Sequence, residues 1–131
     1  MLHSYTKLYV HLVWATKNRD RLLGSIMRSK LQQHWLDYPA TKDIVIMASS
    51  IQNEHVHLLI RVNSDQQVDD IVKLLKGESS HWINSENLIR PKFSWQRGYG
   101  AFSVSFSQLE LVNDYIRQQD EHHRKISFTE E

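Results

Sequence analysis

The chain has 131 residues, of which 40% are hydrophobic and none is cysteine. This length suffices for one folded domain with a core, and the lack of cysteine excludes disulfides, thiolate metal sites and a cysteine nucleophile. The 16 lysine and arginine residues are nearly balanced by 15 aspartate and glutamate residues, which gives a formal net charge of +1. This balance argues against a protein that coats duplex DNA by charge alone, but it allows local basic surfaces.

The N-terminal half predicts a strand, a helix and two further strands. Residues 5–16 are rich in aromatic and β-branched side chains, and their alternation predicts the first strand. Apolar residues at helical spacing over 22–37 predict a helix. Residues 43–51 and 55–62 predict two strands, and the polar turn between them at 52–54 indicates a hairpin.

The C-terminal half predicts two helices around one strand. Ser64 and Gln67 have the spacing of a capping box, so a helix is expected to start there, and Gly77 is a candidate interruption of it. A further strand is expected within residues 93–106. A second capping-box pattern then introduces a last helix that is expected to end at about residue 123.

This order of elements predicts an α+β fold. The first six elements match a ferredoxin-like, or RRM-like, antiparallel sheet with helices on one face, and the last helix is additional. Because the sequence contains no repeat, low-complexity tract or linker, residues 1–131 are expected to form a single domain.

The third predicted strand carries the most informative motif, His55-Val56-His57. A strand alternates faces with period two, so the two imidazoles are expected to project from one face. Apolar neighbours anchor this strand, and rigid support is what a metal site needs. The motif could hold a divalent metal ion, and taken alone it is also compatible with two surface or half-buried histidines.

The last predicted helix carries Tyr115 and Gln119, which share a face because they are four residues apart. The amide oxygen could add a third ligand to the two imidazoles, and such an open site suits Mg²⁺ or Mn²⁺ acting on a phosphate. The phenol, one helical turn away, could act as a nucleophile. Each residue also has another interpretation: Tyr115 could be a partly buried core tyrosine, and Gln119 could be a solvated helix residue. His122, three residues after Gln119, could compete with it as the third ligand.

Basic and aromatic residues suggest where a nucleic acid would bind. The aromatic candidates for stacking on unpaired bases are Trp95, Tyr99 and Phe102, although core packing is favoured for Phe102. The basic clusters are compatible with solvated helix faces and with phosphate contacts. The candidates for phosphate contacts are Lys73, Lys76, Arg90, Lys92 and Arg97.

A family resemblance rests on five stretches in a fixed order, which together span nearly the whole chain: residues 7–17, 53–60, 74–77, 98–105 and 114–119. The chain resembles the single-tyrosine HUH transposases of small bacterial insertion sequences, the IS200-like transposase A type. A His-hydrophobic-His motif alone is generic, whereas the ordered set of stretches is specific.

The resemblance implies a function and a set of site residues. His55, His57 and Gln119 would bind the metal ion, Mg²⁺ or Mn²⁺, and Tyr115 would be the catalytic nucleophile that forms a 5′-phosphotyrosine. The substrate would be single-stranded DNA with hairpins near the ends of an insertion sequence. The protein would be a homodimer whose active sites could be shared in trans. It would lie in the cytoplasm, at the nucleoid, without a membrane association.

Three other readings are open at this stage. The same fold could bind a nucleic-acid hairpin without any chemistry. It could instead be a metal-dependent phosphoesterase that uses His55, His57 and His122. A relaxase or replication initiator of the larger HUH class is disfavoured by the short chain and by a glutamine in place of a third histidine.

Overall fold

The structure, a computed structural model, describes the backbone of residues 5–130 and the side chains of residues 5–119. Short 3₁₀ turns lie at Lys17–Arg19, Pro39–Lys42 and Phe106–Gln108. The longer elements have the predicted order, and they are β1 (Leu8–Ala15), α1 (Ser25–Asp37), β2 (Val45–Ile51), β3 (His55–Val62), α2 (Val68–Ser85), β4 (Gly100–Val104) and α3 (Leu109–Glu130).

The four strands form one antiparallel sheet in the order β2-β3-β1-β4. Leu12 of β1 lies opposite Leu58 of β3 on one side and opposite Ala101 of β4 on the other. β1 and β3 are therefore the inner strands, each paired along both edges. This is the strand order of the split β-α-β arrangement, and the ferredoxin-like α+β prediction is confirmed.

One face of the sheet is covered by α1 and α2. Alternation along β1 sends Leu12 and Trp14 to this face, where they join Leu31 and Trp35 of α1 in the larger apolar cluster. Trp95, which follows α2 in the chain, is buried in the same cluster. Each such side chain removed from water contributes roughly 1.5–3 kcal/mol, so this face supplies most of the core.

The opposite face of the sheet is covered by α3, which packs mainly on β2 and β3. A smaller apolar cluster joins Tyr9, Ala48, Leu59 and Val104 of the sheet to Ile116 of the helix, and Ile116 is fully buried. Two helices therefore lie on one face, as predicted, and the additional C-terminal helix lies on the other.

The predicted start of α2 is wrong, and so is its interruption. Its N-cap is Gln67, whose side chain makes no capping hydrogen bond, so Ser64 does not open a capping box. The backbone N–H of Asn63 instead donates to Oε1 of Gln66, and this turn precedes the helix. Gly77 lies inside a continuous helix, because the buried residues on both sides of it offset the low helix propensity of glycine.

Other boundaries shift by a few residues. β1 begins at Leu8, and α1 begins at Ser25 after an extended N-cap glycine, so both are shorter than predicted. α3 begins at Leu109, between Ser107 and Glu110 of the second predicted capping box, and it extends past residue 123. The predicted bounds of β3 are confirmed.

The segment between α2 and β4 is fastened to its surroundings at defined points. The side chain of Asn84 accepts a hydrogen bond from the backbone N–H of Phe93 at 2.8 Å and donates one to its carbonyl at 3.0 Å. Further along, the N–H of Gln96 donates to the carbonyl of Ala15 at 2.8 Å. This segment is thereby held beside the end of β1.

Candidate metal centre and nucleic-acid interface

The two histidines of the H-x-H motif lie on the face of β3 that α3 covers, which is also the face of Leu59. The Nε2 atoms of His55 and His57 face each other at 3.2 Å. The turn before them is closed by the N–H of Gln52, which donates to the carbonyl of His55 at 2.8 Å. The structure thus brings the pair together on a short, hydrogen-bonded hairpin.

Glu54 adds a carboxylate to this pair that the sequence interpretation missed. Its Oε1 lies 2.6 Å from Nδ1 of His55, and its Oε2 lies 3.5 Å from the guanidinium of Arg19. Burial would raise the pKa of Glu54, but the hydrogen bond from His55 and the charges of His55 and Arg19 outweigh that effect and lower it. A carboxylate directly before the H-x-H motif was the available signal.

His11 of β1 is the second residue that the sequence interpretation missed. Its Nε2 lies 2.9 Å from Nδ1 of His57, and the two rings stack with centroids 5.1 Å apart. Burial, together with the imidazoles of His55 and His11, lowers the pKa of His57 to about 4. Burial also lowers the pKa of His11, so burial favours the neutral form of both rings, which is the form in which an imidazole can bind a metal ion.

Tyr115 and Gln119 lie on α3, on either side of the buried Ile116. Tyr115 is 51% exposed, which excludes a role as a core tyrosine, and Gln119 is half-buried. Among the side chains that the structure describes, no hydrogen bond joins either residue to the histidines. The competing ligand His122 lies outside the described side chains.

The histidine pair fits a divalent metal ion. The Nε2 atoms of the two imidazoles face each other, and their separation of 3.2 Å is compatible with a shared ion bound at about 2.1 Å from each nitrogen. Within residues 5–119, no group of three or more histidine, cysteine, aspartate or glutamate side chains could hold a metal ion. His11 meets His57 at Nδ1, away from that point. A third ligand from this part of the chain would therefore be of another type, such as an amide.

Two of the basic candidates lie on α2 and have different surroundings. Lys73 is exposed and pairs with Asp69 at 2.9 Å. Lys76 is half-buried, and its Nζ donates to the carbonyls of Gln96 at 2.7 Å and Gly98 at 2.9 Å. Burial lowers the pKa of Lys76. Only one of its three N–H groups is left for another partner. The remaining candidates, Arg90, Lys92 and Arg97, are exposed.

The aromatic candidates are placed differently from what the sequence favoured. Trp95 is buried, and its Nε1 donates to Oγ of Ser79, so its proposed stacking on bases is wrong. Phe102 is 58% exposed, so the expectation that it packs in the core is also wrong. Tyr99 is partly exposed and donates to Asp69 at 3.2 Å. Phe102 and Tyr99 remain available for stacking.

A family model described as "Transposase IS200 like" matches residues 4–119. The chain belongs to the IS200-like transposase family. The ISDra2 transposase TnpA of Deinococcus radiodurans is 26% identical over 118 residues, in an alignment that covers 86% of this chain and 84% of that protein.

Two solved structures share the fold of this IS200-like transposase. A Deinococcus radiodurans R1 protein assigned as a transposase superposes with a TM-score of 0.74 and 27% identity, over 91% of this chain and 95% of that one. A REP-associated tyrosine transposase bound to a REP hairpin superposes with a TM-score of 0.64 and 16% identity, over 88% of this chain and 68% of that one.

The family match of the IS200-like transposase covers both histidines of the H-x-H motif, Tyr115 and Gln119. None of the helices in the described part of the transposase is long and apolar enough to span a membrane.

Proposed function

We propose that this IS200-like transposase cleaves and rejoins single-stranded DNA at the ends of an insertion sequence. The observation that carries the proposal is the pair of facing Nε2 atoms, His55 and His57, on the sheet face that also receives α3. An exposed phenol, Tyr115, lies on that helix. A metal-binding pair and an accessible nucleophile are the two parts that metal-assisted transesterification needs.

His55 and His57 would hold the metal ion, Mg²⁺ or Mn²⁺, and the amide oxygen of Gln119 would be a third ligand. When bound, the ion would neutralise charge on the scissile phosphate and orient it for attack. The low pKa of His57, about 4, supports this assignment because the imidazole keeps a free lone pair at neutral pH.

Tyr115 would attack the phosphorus of the scissile phosphodiester. The phenolic oxygen loses its proton and forms the new P–O bond, while the bond to the 3′ oxygen breaks and that oxygen takes up a proton. The products are a 5′-phosphotyrosine and a free 3′-hydroxyl. The number of phosphoester bonds does not change in this step. The DNA end that is held on Tyr115 can therefore be transferred to another strand without ATP.

The DNA ligand would be a hairpin followed by unpaired nucleotides. The structural relative with the REP hairpin supports this class of ligand. Phosphates would contact Lys73, Arg90, Lys92 and Arg97, with the one free N–H of Lys76 in addition, and bases would stack on Phe102 or Tyr99.

A homodimer with active sites shared in trans would complete the enzyme. Two features support this part of the proposal: Tyr115 is exposed and makes no hydrogen bond to the described histidines, and α3 extends to Glu130, well past its buried contact at Ile116. Complementation between a Tyr115→Phe protomer and a His57→Ala protomer would restore cleavage only for active sites assembled in trans.

The decisive experiment compares the parent protein with Tyr115→Phe on labelled hairpin DNA and Mn²⁺. The parent should give a covalent protein–DNA band on a denaturing gel, and Tyr115→Phe should give none. Tyr38→Phe, which removes a hydroxyl at the end of α1, serves as the matched control. EDTA should abolish the covalent band and spare hairpin binding.

The other outcomes select the rival functions. Cleavage by both proteins without a covalent band would favour a metal-dependent phosphoesterase. Binding without cleavage over a panel of candidate insertion-sequence ends would favour a hairpin-binding protein.

A further inference from the structure

Four side chains at the candidate metal centre form a continuous chain of contacts. Nε2 of His11 lies 2.9 Å from Nδ1 of His57, and Nε2 of His57 lies 3.2 Å from Nε2 of His55. Nδ1 of His55 lies 2.6 Å from the carboxylate of Glu54. Each contact needs one donor and one acceptor, so the proton position on each ring determines that on the next.

If each imidazole carries one proton and the carboxylate of Glu54 carries none, one arrangement of protons satisfies every contact. The carboxylate of Glu54 can only accept, so His55 carries its proton on Nδ1 and its Nε2 is bare. His57 then donates from Nε2 to His55, which leaves its own Nδ1 bare. His11 consequently donates from Nε2 to His57. The hydrogen bonds all run in one direction, from His11 to Glu54.

A metal ion on the two Nε2 atoms requires a different arrangement at His57. Its Nε2 has to be bare, so the neutral ring carries its proton on Nδ1, which faces His11. Nε2 of His11 has to accept instead of donate, and its proton moves to its own Nδ1. His55 needs no change. Each ring keeps one proton, so the net charge of the chain is the same in both arrangements.

We propose that Glu54 and His11 are positioning residues of the metal centre with opposite tasks. Glu54 keeps Nε2 of His55 unprotonated with and without the metal ion, and His11 reverses its hydrogen bond to His57 when the metal ion enters. This inference rests on the metal-dependent function proposed above. Outer partners of this kind typically change metal affinity by about 10–100-fold.

The role of Glu54 can be tested without any metal ion. In long-range ¹H–¹⁵N spectra of the metal-free protein, His55 should carry its proton on Nδ1. Glu54→Gln keeps the size of the side chain, but its amide can donate as well as accept, so the proton of His55 should populate both nitrogens. A proton on Nε2 of His55 in the parent protein would overturn the inference for Glu54.

The role of His11 is tested by the affinity for Mn²⁺ alone, measured from the EPR signal of the free ion. His11→Gln can donate or accept, so its affinity should stay within about threefold of the parent value. His11→Leu can do neither and should bind Mn²⁺ about 10–100-fold more weakly. Glu54→Gln should weaken binding by about tenfold. Thermal unfolding and metal-free hairpin binding confirm that each variant is folded.

Glu78→Gln is the matched control for Glu54→Gln. Glu78 also lies 2.6 Å from a histidine, His34, but it belongs to α2 on the other face of the sheet. Its substitution should leave the Mn²⁺ affinity unchanged. Equal affinity of the parent, Glu54→Gln and His11→Leu proteins would overturn the inference.

A failure of the proposed function gives a different result. If the parent protein binds Mn²⁺ no more tightly than a His55→Ala/His57→Ala variant, the metal site itself is wrong, and with it the reversal at His11. The proton position on His55 in the metal-free protein still decides the task of Glu54.

Discussion

Phe102 lies against the imidazole of His11, with ring centroids 6.1 Å apart, although 58% of its surface is exposed. The two residues are opposite each other on β4 and β1, so Phe102 shares the sheet face of the histidines. An exposed aromatic ring beside the proposed metal-binding pair is suited to stack on the base next to the scissile phosphate of the proposed substrate.

We expect Phe102→Ala to weaken the binding of single-stranded DNA by about 1–3 kcal/mol, because one base loses its stacking partner. The free energy of unfolding should change by less than about 1 kcal/mol, since the ring is mostly exposed. Fluorescence anisotropy with a labelled oligonucleotide and urea unfolding measure the two quantities.

Phe106→Ala is the control for that substitution. Phe106 is 59% exposed and stacks on Tyr9, so it has the same residue type and similar exposure without a ring contact to His11, His55 or His57. An equal loss of DNA binding in both variants would contradict a specific role for Phe102.

Lys73 should contribute to DNA binding through its charge alone. It is exposed and pairs only with the neighbouring Asp69 among the described residues. The affinity for DNA falls as the salt concentration rises, and Lys73→Gln should reduce the magnitude of the slope of log K against log salt concentration by about one. The measurement is hairpin affinity at four or more salt concentrations. Lys30→Gln, an exposed substitution on α1, should leave the slope unchanged.

Lys76 should contribute to stability, because it joins α2 to the segment before β4. Lys76→Met keeps the aliphatic stem and removes the hydrogen bonds to the carbonyls of Gln96 and Gly98. At about 1 kcal/mol for each bond, the free energy of unfolding should fall by about 2 kcal/mol. Urea unfolding tests this expectation, and an unchanged midpoint would exclude it.

Asn84 should be difficult to replace, because it satisfies both backbone groups of Phe93. Asn84→Ala leaves a donor and an acceptor without partners next to a buried ring, which should cost about 2–3 kcal/mol of stability. Asn84→Asp keeps only the acceptor and should fall between the two proteins. Equal stability of the alanine variant and the parent protein would show that water replaces the side chain.

Much of the fold could be predicted because the spacing of hydrophobic residues along the chain distinguishes strands from helices. The alternation in β3 gave both its bounds and the common face of His55 and His57. Capping patterns were less reliable: Ser64 has the right spacing, yet tertiary contacts of Gln66 fix the turn and the helix starts later. The helix interruption predicted at Gly77 is absent for a similar reason, because packing along α2 keeps the helix continuous.

The missed parts of the candidate site depend on contacts between elements that are far apart in the sequence. His11 meets His57 only because β1 and β3 pair in one register, which places Val13 opposite His57. Trp95 is buried and Phe102 is exposed, which is the reverse of what the sequence favoured. Residue type alone cannot tell which aromatic ring is buried between the sheet and the helices. That no hydrogen bond joins Tyr115 to the described histidines likewise depends on how α3 packs on the sheet.

The position of the histidines on β1 and β3 has a consequence for how the site is lost. Edge strands and termini open by local fluctuations, whereas amides in inner strands usually exchange with solvent only when the whole domain unfolds. His11, His55 and His57 all lie on the two inner strands. We therefore expect the amides of these strands to be the slowest to exchange, and metal binding and the fold to disappear in one cooperative transition.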